Sequence, residues 1–220
     1  KDIETNLGGR EDDYKNHFTA RLLLLLESRP LHNEKTYDKI LQKIIRSYFR
    51  DYHHHEKDFR PIFLINDIMR FWRTLCLNYE HRRNRQFGNE YRRHKSHIIN
   101  LKLKFSRLLT CHSAIALLSM NRGVVDPNEL LNIVKLSPWE RLNEILRREA
   151  CTEEYINSMK DEYSWFLDKT GREEAEVLNW IADENNRAEA FDKGRFFATN
   201  MYNTLCKVTA GADTMRYLVV

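Results

Sequence analysis

Turn-making residues are scarce in this sequence, with 7 Gly and 4 Pro among 220 residues. That scarcity restricts the fold more than any other single feature. A sandwich or barrel needs many short strands closed by turns that Gly and Pro commonly make, whereas long helices need few interruptions. The chain is therefore expected to be all-α, a helical bundle of eight or nine helices with apolar residues at helical spacing. In the second helix, about Glu34 to Tyr52, that face is Tyr37, Ile40, Leu41, Ile44, Ile45 and Tyr48.

Start and stop signals place the other helices. The polar stretch from Asn6 to Asp13, with Gly8 and Gly9, reads as a loop leading into a first helix. That helix runs from about Tyr14 to Ser28 and stops before Pro30, because the residue ahead of a proline is pushed out of helical conformation. A third helix, from Pro61 to about Tyr79, is apolar on most of its circumference and is expected at the centre of the fold. His81 to His97 reads as a basic connector, with arginines at 82, 83, 85, 92 and 93 around Gly88, and a fourth helix covers about Ile98 to Met120. Past Gly123, Asp126-Pro127-Asn128-Glu129 and Ser137-Pro138-Trp139-Glu140 each offer a cap, a first-turn proline and an acid at the third helical position. Thr152 begins a helix that Gly171 ends, and Arg172 to Phe191 and Arg195 to Ala210 supply the last two. The length fits either one large helical domain or two packed helical subdomains, residues 1–122 and 123–220. The absence of an internal repeat and of a sustained heptad argues against a solenoid or a coiled coil.

The balance of 36 basic against 32 acidic residues, net +4, does not by itself call for a polyanionic partner. Cys76, Cys111, Cys151 and Cys206 lie far apart without a CxxC pair, which argues against a zinc site or a small disulfide framework and fits reduced thiols in a cytoplasmic protein. No apolar stretch approaches the roughly 20 residues that span a bilayer. The N-terminus has no signal-peptide core, and a start without Met points to a processed chain or a piece of something longer.

Helix three carries a polar stripe on a segment otherwise fit for burial: Asn66, Asp67, Arg70, Arg73 and Thr74. Buried charge is costly unless paired. One reading is an internal network of Asp67 with Arg70 that fixes packing. The other has Arg70 and Arg73 holding phosphate oxygens in a cleft, with Asn66 and Asp67 orienting them. Helix four offers Lys102, Lys104, Ser106 and Arg107; Lys102 and Ser106, four residues apart, share a face, and the set is either solvated or reaches a triphosphate. His53-His54-His55 is read as a surface run, since consecutive residues on a helix diverge and no HExxH spacing accompanies them. Arg92 and His97 stand in an R-x4-H arrangement similar to the active-site motif of the HEPN ribonucleases, and the stretch from Arg82 to His97 offers phosphate contacts to RNA. GxxxxGK[ST], GxGxxG and GxSxG motifs are all absent from the sequence.

Asn6-Leu7-Gly8-Gly9, the run from Arg21 to Leu31, the run from Phe63 to Cys76 and Leu101-Lys102-Leu103-Lys104-Phe105-Ser106-Arg107 together resemble bacterial nucleotidyltransferases. The likeness is to the helical region that follows a polymerase-beta-like catalytic domain, and it covers roughly the first 120 residues. It implies a nucleotide-contacting portion without the metal-binding carboxylates, hence not catalytic on its own. The partners it implies are a nucleoside triphosphate with Mg and an upstream catalytic domain. Under that resemblance Asn66, Asp67, Arg70, Arg73, Lys102, Lys104, Ser106 and Arg107 are the candidate nucleotide-binding residues, and no metal ligand is assigned. The alternatives are a HEPN-like RNase or RNA-binding helical domain, and a protein-interaction module whose charges serve only solubility.

Overall fold

Local capping chemistry writes many of the helix ends. A computed structural model describes residues 7, 12, 15–84, 89–120, 125–211 and 213–218, and all regular structure among these described residues is helical. The elements are α1 (His17–Leu26), α2 (Glu34–Tyr48), α3 (Ile62–Asn84), α4 (Glu90–Lys102), a π turn (Leu103–Arg107), α5 (Leu108–Ser119), α6 (Pro127–Lys135), α7 (Pro138–Arg148), α8 (Glu153–Thr170), α9 (Glu174–Ala182) and α10 (Glu184–Val208). Short 3-10 turns lie at Tyr52–His54, Ala150–Thr152 and Asp213–Tyr217. The all-α expectation holds. Most of the expected opening loop, 6–13, lies outside the described residues, as do Gly88 and Gly123.

Both proline-led starts form as the sequence predicts. Asp126 accepts from the amides of Asn128 at 2.7 Å and Glu129 at 2.9 Å, satisfying two of the donors that a helix start leaves orphaned. Ser137 and Glu140 make a reciprocal capping box: the Ser137 amide donates to Glu140 Oε2 at 2.6 Å, and the Glu140 amide donates to Ser137 Oγ at 3.3 Å.

Two expected boundaries differ. The basic connector from His81 to His97 is mostly helix, because α3 continues to Asn84 and α4 begins at Glu90. Asn89 caps that start by accepting from the Arg92 amide at 3.2 Å, and His81, Arg82 and Arg83 suit a helix C-terminus, where the macrodipole favours cations. Near the C-terminus the break falls at Asp183 rather than between Phe191 and Arg195. Asp183 is extended and its carboxylate accepts from the Asn186 amide at 2.9 Å, so it starts a single long helix, α10.

The chain divides into two compact units, residues 1–71, 113–145 and 208–220 forming the first and 72–112 and 146–207 the second. This division does not fall at residue 122; helices group by the faces they bury, and each unit draws on separated stretches of sequence.

In the first unit α1 packs on α2 and α6, and α2 on α6. Leu25, Leu26, Leu64, Ile68, Ala114, Leu118, Ile133 and Val134, with Arg141, close around a mostly apolar space of only about 10 Å³. Each of these Leu, Ile and Val side chains contributes roughly 1.5–3 kcal/mol by leaving water. Among the described residues of this unit, Arg21 and Arg141 are buried. Arg21 grips Asp12 with both terminal nitrogens, at 2.8 and 2.6 Å, and donates from Nε to the Tyr48 hydroxyl at 2.9 Å; that hydroxyl in turn donates to Asp67 Oδ2 at 2.7 Å. Burial opposes the Arg21 charge, but Asp12 and Tyr48 more than offset it and the guanidinium stays charged. Arg141, fully buried, donates to the carbonyls of Ile133, Val134 and Leu26, which terminate α6 and α1.

In the second unit the core is aromatic. Phe105 stacks on Phe166 with ring centroids 4.6 Å apart and 10° between planes, and Phe197 tilts onto it at 5.0 Å. Gly194 lets α10 come close to the π turn: a Cβ there would stand 3.2 Å from Lys104 Cδ and 3.5 Å from Phe105 Cε2. The ammonium of Lys95 meets Glu174 at 2.7 Å and the Tyr91 hydroxyl donates to the same carboxylate at 3.3 Å, pinning α4 to α9.

Candidate functional site

The first turns of α4 carry Glu90, Arg93, His97 and Asn100 at intervals of three and four residues, so these side chains share one face of the helix. The end of α3 brings Tyr79, Arg83 and Asn84 opposite that face, and α10 contributes Phe191. Together with Asn89 and Ser96 they line an open cleft of about 800 Å³ within the second unit.

Its chemistry is mixed in a specific way. The Tyr79 hydroxyl accepts from Asn100 Nδ2 at 3.0 Å, which fixes the amide and leaves the tyrosine proton to donate elsewhere. His97 packs edge-on against Phe191, with ring centroids 5.6 Å apart and 76° between planes. Its Nε2 is buried and has no hydrogen-bond partner among the described residues. Burial, followed by the nearby charges of Arg187, Arg93 and His94, holds the imidazole below its ordinary pKa, so the ring is neutral near pH 7. Arg83 is paired with Glu80 at 2.7 Å, whereas Arg93 is exposed and has no ion-pair partner among the described residues. The cleft therefore presents aromatic faces, amide donors and acceptors, a guanidinium and an unpartnered ring nitrogen.

The eight residues singled out from sequence divide between the two units. In the first, Asn66 donates to the Tyr217 carbonyl at 3.1 Å, and Asp67 is buried against Tyr48, with Arg21 Nη2 at 3.7 Å. Burial raises the Asp67 carboxyl; the Tyr48 donor and the charge of Arg21 offset this in part. The close partners of Asp67 are thus Tyr48 and Arg21, while the Arg70 guanidinium lies 4.2 Å from the ring centroid of Phe18. In the second unit Arg73, Lys102 and Arg107 are exposed. Ser106 Oγ lies 3.2 Å from the Tyr163 hydroxyl, and Lys104 Nζ stands 5.2 Å from the Phe191 ring centroid, so of the eight it is Lys104 that meets a cleft residue. A π turn spans residues 103–107, a widening of the helix that frequently accompanies functional sites.

The chain matches no family model, no curated protein and no solved structure. Arg92 and His97, the R-x4-H pair, lie five residues apart on a continuous helix and so about 140° apart around its axis. Arg93, one turn before His97, is the arginine that lines the cleft. No group of three or more His, Cys, Asp or Glu among the described residues is arranged to hold a metal ion. His53 to His55 form an exposed turn in which His53 Nδ1 meets Glu56 Oε1 at 3.2 Å. No helix among the described residues is long and apolar enough to cross a membrane, and all four cysteines are free thiols.

The basic stretch from Arg82 to His97 stands out in the sequence, whereas Tyr79, Asn84, Glu90, Asn100 and Phe191 do not show there as partners in one site. The Asn89-Glu90 cap followed by polar residues at three- and four-residue spacing was the available signal. Phe191 gave none, because its place depends on where α10 starts.

Proposed function

We propose that this chain is the helical, nucleotide-contacting portion of a bacterial, cytoplasmic nucleotidyltransferase-like protein, and that it holds the nucleotide in the cleft between α3 and α4. The observation that carries this reading is the cleft's lining. Tyr79 and Phe191 offer faces to a base, Asn84, Asn89 and Asn100 offer amide edges to its polar atoms, and Arg93 offers a guanidinium fork to phosphate oxygens. The orphaned His97 Nε2 can accept from a ribose hydroxyl or a base N–H. Nucleotidyl transfer depends heavily on positioning and charge compensation, so such a portion serves the reaction without catalytic groups of its own.

Thermal unfolding with ATP, GTP, CTP and UTP, with and without Mg, tests this. A nucleotide at about a hundred times its Kd stabilises by about 2.7 kcal/mol, which for a chain of this size raises the midpoint by roughly 5–10 °C. Arg93→Ala and Asn100→Ala are expected to abolish the rise, and Lys102→Ala to leave it intact. A rise lost in Arg73→Ala or Lys102→Ala but kept in Arg93→Ala would move the site back to the polar stripes.

One observation favours a second reading, RNA as the ligand. His97 and Arg93 share a face of α4, and a neutral imidazole beside a guanidinium is the pairing that phosphodiester cleavage employs as base and charge stabiliser. Under this reading His97→Ala loses cleavage of a single-stranded RNA; unchanged cleavage rules it out.

A further inference from the structure

Besides the α3–α4 cleft, the first unit has a separate cavity of about 360 Å³, between the end of α2 and the segment leading into α3. Arg50 and Asp51 line it from the α2 side, and Phe59, Arg60 and Phe63 from the other. Arg60 Nη1 is buried with no hydrogen-bond partner among the described residues. Buried donors in native proteins almost always have an acceptor, so this nitrogen marks a place where one belongs. Arg60 is also held in position: Phe59, its neighbour, packs on Phe49 with centroids 4.6 Å apart and edge-on against Tyr52 at 5.3 Å. Arg50 and Arg60 have no ion-pair partner among the described residues. Asp51 makes the site unsuitable for a bare anion, because its carboxylate repels one, but it suits a ligand whose hydroxyl groups can donate to it. Phe63, about half exposed at 49%, offers a face to a ring.

We propose that this cavity binds a phosphate monoester of a sugar, with the phosphate between Arg50 and Arg60, a sugar hydroxyl donating to Asp51, and the ring against Phe63. Two guanidiniums match a phosphate dianion, and their forks suit its oxygen geometry. A cavity of this size admits a single sugar phosphate.

The test is a titration of the full chain with ribose 5-phosphate, followed through the arginine side-chain N–H signals in NMR spectra, with the Arg60 signal identified by its loss in Arg60→Gln. Saturable movement of the Arg60 and Arg50 signals is expected. Affinity should fall about tenfold or more in Arg60→Gln and in the exposed Arg50→Gln, the loss expected for a hydrogen bond between charged groups. Ribose should leave the signals unmoved, and Arg93→Ala should bind ribose 5-phosphate at Arg60 as the wild type does. An Arg60 signal that never moves, or ribose 5-phosphate bound as tightly by Arg50→Gln as by the wild type, would overturn the proposal. Inorganic phosphate bound as tightly as the sugar phosphate would overturn the role given to Asp51 and Phe63.

Discussion

Arg141 shows how much a single side chain contributes when its polar atoms are fully enclosed. Its guanidinium donates to three backbone carbonyls at the ends of α1 and α6, those of Leu26, Ile133 and Val134, at 3.3 to 3.4 Å; the Ile133 carbonyl also accepts from the Leu136 amide at 3.2 Å. Arg141→Met preserves volume and apolar contact but takes the guanidinium donors away from the Leu26 and Val134 carbonyls in the interior. Urea unfolding is expected to show a loss of about 3–5 kcal/mol. A loss under about 1 kcal/mol would mean that water or backbone shifts satisfy the carbonyls instead. The sequence gives no sign of this role, because an arginine in an amphipathic helix normally reads as surface. Asp67 is a similar case. It was visible as an expensive residue on an apolar helix, yet its partners, Arg21 and Tyr48, stand 46 and 19 positions away and no local pattern names them. Asp126, Ser137 and Glu140 were legible because capping is settled within four residues.

The same distinction holds for whole elements. The basic stretch around residues 81–97 was read as a connector on its charge, although Arg, Lys and Glu are good helix formers and the cap that decides the matter is Asn89. Gly194, in the gap expected between the last two helices, is instead interior to α10, where the missing Cβ allows close approach to Lys104 and Phe105. Gly194→Leu places a branched side chain in that contact and is expected to destabilise by about 1–3 kcal/mol through overpacking. The measurement is the shift of the urea midpoint. An unchanged or raised midpoint would show that helix propensity, about 1 kcal/mol in favour of most residues over glycine, outweighs the contact. Since Lys104 also stands over Phe191, the substitution should also weaken the nucleotide binding proposed for the cleft.

At the scale of the whole molecule, titration ties stability to the cleft. His97 and His112 both sit below the ordinary histidine value of 6.5, each chiefly through burial; for His112 the bond to the Leu108 carbonyl partly opposes this. A depressed folded-state pKa means that the unfolded chain binds the proton more readily. The stability these rings contribute is present above about pH 6.5 and is lost as the pH falls through their folded-state values. Urea midpoints measured from pH 8 to pH 5 should therefore decline below about pH 6.5, and the decline should be shallower in His97→Gln. A profile unaffected by that substitution would show that His97 titrates as an exposed ring. The all-helical class was legible at this scale from the scarcity of Gly and Pro, whereas the two units were not, because each is assembled from separated stretches of chain. The nucleotide proposed to sit against His97 is tested by following the imidazole signals of the chain in NMR spectra during titration with ATP. The signal that vanishes in His97→Ala should shift saturably and its pH midpoint should rise, since a nearby phosphate favours the protonated ring. A His97 signal that stays fixed in position and midpoint at saturating ATP would rule out a nucleotide at this ring.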